Sequence, residues 1–172
     1  MEQADAEDGT VIVVLMGVSG SGKTTVGRTL ADDLGWTFLD ADDFHPPANV
    51  AKMAAGVALS DEDRWPWLDR LVEELRAFEQ NGRHVILACS ALKQSYRDRL
   101  APAGDVRWVY LKGEKSTIEP RIASRESHYM PASLLTSQFA ALEEPAGAMV
   151  VDIRQSPDAQ AAQIAASLRS KV

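Results

Sequence analysis

A glycine-rich octapeptide, GVSGSGKT, occupies residues 17–24 and contains the residue types that bind phosphate groups. Its glycines let consecutive backbone N–H groups turn inward onto phosphate oxygens at a helix N-terminus, where the helix dipole favours anions. Lys23 is expected to reach the β- and γ-phosphates, and the Thr24 hydroxyl to bind magnesium. The residues predicted to contact the nucleotide are Gly17, Ser19, Gly20, Ser21, Gly22, Lys23, Thr24 and Thr25. The motif predicts a P-loop that binds ATP with Mg²⁺ for phosphoryl transfer.

Two acidic residues follow the next apolar segment. Asp40-Ala41-Asp42 ends a short strand, and ligands of open α/β sheets bind at the carboxyl ends of strands. One carboxylate is placed to support magnesium and the other to face an acceptor hydroxyl, two roles that phosphoryl transfer requires. A solvated turn or a helix cap explains Asp40, Asp42 and Asp43 equally well. His45, before two prolines, fits a loop residue better than a base, although its proximity to Asp42 favours a role in the site.

Basic side chains follow two further strands. CSALK, residues 89–93, ends the third strand, and Lys93, Tyr96, Arg97 and Arg99 bring charge and donors to the next helix. Arg121 and Arg125 share a helical face beside His128, and arginine suits both multidentate phosphate contacts and stacking on a base. An exposed helix of an acidic protein often carries such residues without a function, so both interpretations stay open. The segment DIRQSP, residues 152–157, leaves the fifth strand where it could contact an adenine.

The elements that position these residues alternate between strand and helix. Val11–Met16 is a β-branched run typical of a strand buried on both faces, and it leads into the P-loop. Further strands are predicted at 37–40, 85–89, 106–111 and 148–152, and helices at 26–34, 48–55, 61–80, 92–100, 117–127, 134–142 and 157–168. Ser60 with Asp63 resembles a capping box, and Ser156-Pro157 a helix start. The alternation predicts a three-layer α/β fold with a five-stranded parallel sheet.

The composition excludes several classes of protein. The chain has 172 residues, which suits one domain, predicted at 10–172 after a disordered acidic tail at 1–9. The net charge of -7 argues against a nucleic-acid partner, and no apolar run approaches the roughly 18 residues that cross a bilayer. The single cysteine, Cys89, allows no internal disulfide and is expected in the core. Together with the absence of a secretory signal, these features predict a cytoplasmic protein with no membrane partner.

The assembled motifs resemble the gluconokinases, small P-loop kinases related in fold to shikimate kinases. The resemblance covers nearly the whole chain from about residue 11 to 153, and CSALK and SQF-x-x-LE-E-P are more specific to the family than the P-loop. The segments that carry it are MGVSGSGKT at 16–24, FLDADDFHPPANVAKMAAG at 38–56, LSDEDRWPWL at 59–68, CSALKQSYRDRL at 89–100, YLKG at 110–113, HYMPASLLTSQFAALEEP at 128–145 and VVDI at 150–153.

This resemblance implies transfer of the ATP γ-phosphate to the 6-hydroxyl of D-gluconate, in a P-loop kinase fold with a small helical lid and a homodimeric assembly. It places Asp42 at the acceptor hydroxyl and Asp40 on magnesium through water. It makes Lys23, Asp42 and Arg125 catalytic, with Arg125 a lid arginine over the phosphates and Arg121 packed on adenine. The residues expected to bind the sugar acid are Asp42, His45, Arg64, Lys93, Arg97 and His128.

The chain departs from the family pattern at two places. Ala41 stands where the family often has glycine, and Ser127-His128-Tyr129 where it often has Gly-His-Phe. Another small-molecule kinase of this fold, such as a shikimate kinase, shares the P-loop and D-x-D but is expected to carry a glycine-rich loop in place of CSALK. A nucleotide-binding module without turnover is the alternative from a different class.

Overall fold

The computed structural model describes residues 9–124 and 132–169. Within them, five parallel strands form one sheet in the order β2-β3-β1-β4-β5, which confirms the predicted parallel sheet. The strands are β1 Val11–Met16, β2 Thr37–Asp40, β3 Val85–Ala88, β4 Asp105–Lys112 and β5 Met149–Asp152. The helices are α1 Lys23–Leu34, α2 Pro47–Ala54, α3 Asp61–Gln80, α4 Gln94–Leu100, α5 Lys115–Ala123, α6 Ala132–Ala141 and α7 Pro157–Arg169. None of these described helices combines the length and apolarity needed to span a bilayer.

The central strand β1 is buried on both faces. Ile12 and Val14 pack into the core formed with α3 and α4, whereas Val13 and Leu15 pack into the core formed with α1 and α7. Because successive side chains of a strand point to opposite faces, a strand between two helical layers must be apolar throughout. This explains the continuous VIVVLM run and confirms the three-layer arrangement.

The helix starts follow the local signals in the sequence. The Ser60 hydroxyl accepts a hydrogen bond from the Asp63 N–H at 3.1 Å, and the Asp63 carboxylate accepts one from the Ser60 N–H at 2.9 Å. This reciprocal pair confirms the capping box before α3. The Ser156 hydroxyl likewise accepts from the Ala159 N–H at 3.1 Å, so α7 begins at Pro157 as predicted.

Two local features bear on the site. α4 begins at Gln94 rather than at residue 92, because Ala91 adopts a positive φ of 44° and Lys93 is extended at the N-cap. In addition, Ala41–Phe44 forms a 3-10 turn with Asp40 as its N-cap, so the turn or helix cap that the sequence also allowed at these aspartates is present. Both irregular segments leave the carboxyl ends of neighbouring strands, β3 and β2, and therefore shape the same edge of the sheet.

Some predictions fall outside the described residues. The helix predicted at 117–127 is described only to Ser124, where α5 has just ended. Arg125, Ser127, His128 and Tyr129 lie outside the described residues, as do residues 1–8. The acidic tail, the single-domain organisation and the roles given to Arg125 and His128 stay predictions.

Candidate active site

The P-loop joins β1 to α1 at the carboxyl edge of the sheet. Gly22 caps α1 in the left-handed conformation at φ 97°, and Gly20 has φ 80° with its Cα facing Ile122, where a Cβ would lie 2.8 Å from Cγ1. Glycine is required at both positions because it alone adopts positive φ without steric cost. The backbone of residues 17–22 thus turns tightly at a helix N-terminus, as phosphate binding requires.

Two P-loop residues act on the loop itself in this conformation. The Lys23 ammonium donates to the carbonyls of Gly17 at 2.9 Å and Val18 at 3.0 Å. The Ser21 N–H donates to the Val18 carbonyl at 3.2 Å, and the Ser21 side chain is buried. Lys23 must therefore turn away from these carbonyls to reach a nucleotide. The hydrogen bond of the Ser21 N–H closes the loop turn in this conformation, and the phosphate contact of Ser21 stays a prediction.

The two residues predicted to support magnesium are in contact. The Thr24 hydroxyl lies 3.2 Å from the Asp40 carboxylate, whose other oxygen accepts a hydrogen bond from the Asp42 N–H at 2.9 Å. Hydroxyl and carboxylate oxygens are the ligand types that Mg²⁺ prefers, and it usually takes one or two carboxylates together with substrate phosphates. No cluster of three or more potential metal ligands of the His, Cys, Asp or Glu type occurs within residues 9–124 and 132–169. The donor set therefore fits Mg²⁺ held jointly with nucleotide phosphates.

Asp42 lies on the 3-10 turn with its side chain 82% exposed, and its Oδ1 is 3.8 Å from His45 Nε2. Trp67 supports this turn from below: its Nε1–H donates to the Ala41 carbonyl at 2.7 Å, and its ring stacks on His45 with centroids 4.1 Å apart. The carboxylate of Asp42 is thus presented to solvent from a turn that is held by buried groups. This is the arrangement expected of a group that meets an incoming hydroxyl.

The protonation of His45 follows from its neighbour Asn49. The Asn49 side-chain NH₂ donates to the Asp63 carbonyl at 2.9 Å, which can only accept, and its second contact is His45 Nδ1 at 3.2 Å. We assign Nδ1 as the acceptor, which leaves the proton on Nε2, facing Asp42. Burial, with a smaller contribution from the charge of Arg64, lowers the pKa of His45 from 6.5 to about 4. His45 is therefore neutral near pH 7, and its Nε2–H faces the Asp42 carboxylate at 3.8 Å, which is beyond hydrogen-bond distance.

The predicted cation Lys93 contacts Asp61, a residue that was not selected from the sequence, and Arg64 joins this pair through Tyr96. The Lys93 ammonium is 3.2 Å from Asp61 Oδ1, and the Tyr96 hydroxyl donates to the same oxygen. Arg64 donates to the Tyr96 hydroxyl at 3.1 Å. Hydrogen bonds from Tyr96 and then Lys93 lower the pKa of Asp61. The cluster of Asp61, Arg64, Lys93 and Tyr96 carries two positive charges and one negative, an excess of one positive charge.

Arg97 is placed differently from the prediction. Its side chain is 3% exposed, and its guanidinium donates to the carbonyls of Ala91 at 2.7 Å, Leu92 at 3.1 Å and Glu143 at 2.8 Å. A guanidinium enclosed by carbonyl acceptors is not available to a substrate carboxylate. The structure therefore favours a structural role for Arg97, which holds the loop that carries Lys93, over the predicted contact with the sugar acid.

Arg121 lies beside the segment predicted to meet adenine. Its Nη2 donates to the Ile153 carbonyl at 2.8 Å, just after β5 ends. The residues on either side of Ile153, Asp152 and Arg154, form an ion pair at 2.6 Å. The α5 helix and the turn after β5 thus meet at the nucleotide side of the sheet, where Arg121 was predicted to act.

Four contributors were not selected from the sequence: Asn49, Asp61, Gln138 and Glu143. The two hydrogen bonds of Gln138 to Ser19 and the capping of α4 by Glu143 connect segments that are far apart in the chain. The SQF-x-x-LE-E-P segment did carry the family resemblance, but its spacing alone assigned no partner to either side chain. The sequence therefore marked the segment that contains Gln138 and Glu143, but the contacts of these two side chains could be found only in the structure.

The fold and the site together define a P-loop kinase. A family model described as an AAA domain matches residues 12–145. A gluconokinase from Gluconobacter oxydans is 48% identical over 136 residues, which cover 77% of this chain and 75% of that protein. The chain belongs to the gluconokinase family.

Solved structures agree with this assignment. The crystal structure of a gluconokinase from Sinorhizobium meliloti is 39% identical with a TM-score of 0.78, and the match covers 95% of this chain and 97% of that one. The unliganded structure of a sugar kinase from a Janibacter species is 45% identical with a TM-score of 0.88, covering 93% and 95% of the two chains. The chain therefore shares both fold and sequence with kinases that act on sugars or sugar acids.

Proposed function

We propose that the protein transfers the γ-phosphoryl group of ATP to the 6-hydroxyl of D-gluconate, giving 6-phospho-D-gluconate and ADP. The observation that carries the proposal is the contact between Thr24 and Asp40 at 3.2 Å. It joins the phosphate-binding loop to the acidic turn after β2, so that phosphates and acceptor meet in one site. The choice of gluconate as acceptor is supported by the similarity of the chain to gluconokinases.

On the phosphate side, the backbone N–H groups of the P-loop hold the triphosphate, and Lys23 exchanges its loop carbonyls for phosphate oxygens. Thr24 and Asp40 are the residues that would hold Mg²⁺, and the bound ion supplies neutralisation of phosphate charge. Arg121 contacts the adenine from α5. Arg125 and His128 keep their predicted roles over the phosphates and at the acceptor.

On the acceptor side, the exposed carboxylate of Asp42 orients the 6-hydroxyl and accepts its proton. The hydroxyl oxygen then bonds to the γ-phosphorus, while the bond between that phosphorus and the oxygen of the leaving ADP breaks. The neutral His45, with its proton on Nε2, lies 3.8 Å from the Asp42 carboxylate and directs its N–H dipole towards it. The 3-10 turn fixes the positions of both groups, because Asp42 lies on the turn and His45 directly follows it.

The carboxylate of gluconate is held by Arg64 and Lys93. Because the whole protein carries a net charge of -7, an anionic acceptor needs a local excess of positive charge. The cluster of Asp61, Arg64, Lys93 and Tyr96 supplies one such charge in excess, which matches the single negative charge of an aldonate.

The decisive experiment is a coupled ADP-release assay with gluconate, glucitol, shikimate and buffer alone, with Lys23→Ala as the inactive control. We expect turnover with gluconate only. Preferred turnover of shikimate would support the shikimate kinase alternative instead, and ATP binding without turnover of any acceptor would support a non-catalytic module. Homodimer formation, a cytoplasmic location and the absence of a nucleic-acid partner stay predictions.

A further inference from the structure

Gln138 on α6 forms two hydrogen bonds with Ser19 of the P-loop, although 119 residues separate them. Its Oε1 accepts from the Ser19 N–H at 2.8 Å, and its Nε2 donates to the Ser19 hydroxyl at 3.0 Å. The Ser19 N–H can only donate, so the carboxamide has one orientation that satisfies both bonds. From this geometry we propose that Gln138 is a positioning residue that holds the first half of the P-loop in the shape that binds ATP.

Ser19 lies in a stretch of the loop that needs external support. Gly17 and Gly20, on either side, both adopt positive φ, and glycines lose the most conformational freedom when a loop becomes ordered. The nearby backbone bonds, from Gly17 N–H to the Ser90 carbonyl at 3.3 Å and from Ser21 N–H to the Val18 carbonyl at 3.2 Å, leave Ser19 itself untouched. Gln138 supplies the hydrogen bonds to Ser19, so without its side chain the loop between Gly17 and Gly20 should become more mobile.

The element that carries Gln138 is well anchored. Leu135 is buried in the core beneath α1 and α7, and Phe139 packs against the same core. Just after α6, the Glu143 N–H donates to the Leu92 carbonyl at 2.8 Å, and the Glu143 side chain accepts from the Gln94 N–H at 3.0 Å. Gln138 therefore connects the P-loop to a segment that is also bound to the loop before α4, rather than to a mobile surface.

This inference rests on the proposed function for its nucleotide, ATP, and not for its acceptor, so it can be measured without gluconate. The test is the Kd for ATP with Mg²⁺, determined by calorimetry, in wild type and Gln138→Leu, which keeps a similar volume without hydrogen-bonding atoms. Ser137→Ala, an exposed neighbour on α6, is the matched control. Urea unfolding of each variant reports separately on the stability of the fold.

We expect Gln138→Leu to raise the Kd for ATP about ten-fold, the scale of losing one or two hydrogen bonds that order a binding loop. Ser137→Ala should match wild type, and the KM for gluconate should change less than about two-fold in either variant. A Gln138→Leu protein with reduced stability but an unchanged Kd for ATP would overturn the proposal, because Gln138 would then support the fold only.

Ser19→Ala keeps the proposal testable if Gln138→Leu folds poorly, because it removes one of the two hydrogen bonds and leaves Gln138 and α6 intact. Where both variants fold, they form a double-mutant cycle. Ser19→Ala alone removes only the hydroxyl contact, so it should raise the Kd for ATP a few-fold, and it should have little further effect once Gln138 is leucine. Additive effects would contradict the proposed contact. Failure of wild type to phosphorylate gluconate, with ATP affinity still dependent on Gln138, would reject the acceptor and leave this inference standing.

Discussion

The hydroxyl of Thr24 and the carboxylate of Asp40 lie 3.2 Å apart, one at the start of α1 and the other at the end of β2. The strands before these residues, β1 and β2, are not neighbours, because β3 lies between them in the sheet. The P-loop carries the chain from β1 to the start of α1, where Thr24 meets Asp40. In the proposed function, this contact marks where phosphates and acceptor meet.

Magnesium dependence tests this pair. We expect Thr24→Val and Asp40→Asn each to raise the magnesium concentration needed for half-maximal turnover about ten-fold or more. Thr24→Val removes a hydroxyl ligand, and Asp40→Asn removes the negative charge that supports the ion. Thr29→Ala, further along α1, is the control, since its hydroxyl bonds only to the Thr25 carbonyl among the described contacts. If both site variants needed the same magnesium concentration as wild type, Thr24 and Asp40 would be excluded from the magnesium site.

Asp42 is tested against its neighbour on the same turn. Asp42→Asn should lower kcat by roughly 10² or more while ATP binding is retained, the scale expected when a positioned base is lost. Asp43→Asn, which removes the same charge from a neighbouring exposed position, should stay close to wild type. If Asp42→Asn raises only the KM for gluconate, Asp42 binds the acceptor and does not take its proton.

The proposed role of the cation cluster is tested by the choice of acceptor. Arg64→Ala and Lys93→Ala should each raise the KM for gluconate about ten-fold, because a charge-assisted hydrogen bond contributes roughly 1.5–3 kcal/mol. Arg70→Ala, an exposed arginine on the same helix, is the control. Glucitol, which has no carboxylate, should be a poor substrate of wild type. A glucitol KM equal to that of gluconate would contradict the carboxylate site.

Arg97 should behave differently from these two residues. Arg97→Met removes donors from the carbonyls of Ala91, Leu92 and Glu143, and leaving buried acceptors unsatisfied costs about 1–3 kcal/mol each. We expect the free energy of unfolding, measured in urea, to fall by at least about 2 kcal/mol. A stable Arg97→Met protein with a raised KM for gluconate would restore the sequence-based prediction of substrate binding.

Acid stability reports on His45. Its pKa is about 4 in the folded protein and 6.5 as the ordinary value, so the unfolded chain binds the extra proton first as the pH falls. This contribution to stability is complete above pH 6.5 and is lost between pH 6.5 and about 4, with a slope of up to about 1.4 kcal/mol per pH unit. His45→Gln should reduce the pH dependence of the free energy of unfolding, measured in urea, between pH 6.5 and about 4. An unchanged slope would mean that His45 is accessible to protons in the folded state.

Much of the fold could be predicted from the sequence because the signals are local. The VIVVLM run of β1, the capping box of Ser60 with Asp63 and the Ser156-Pro157 start of α7 depend on neighbouring residues alone. The P-loop belongs to the same class, since its glycines and its position between strand and helix define its shape. The elements and their order followed from these patterns, with small shifts at helix ends.

The partners of single side chains could not be predicted in this way. Arg97 and Lys93 carry the same charge in one basic segment, yet Arg97 is enclosed by carbonyls while Lys93 reaches Asp61. Ser19 and Gln138 meet from opposite ends of the chain. The amino-acid sequence by itself determined which residues can bind phosphate, metal and acid. Only the tertiary structure decided which of them do structural work, because burial and the direction of a side chain depend on elements distant in sequence.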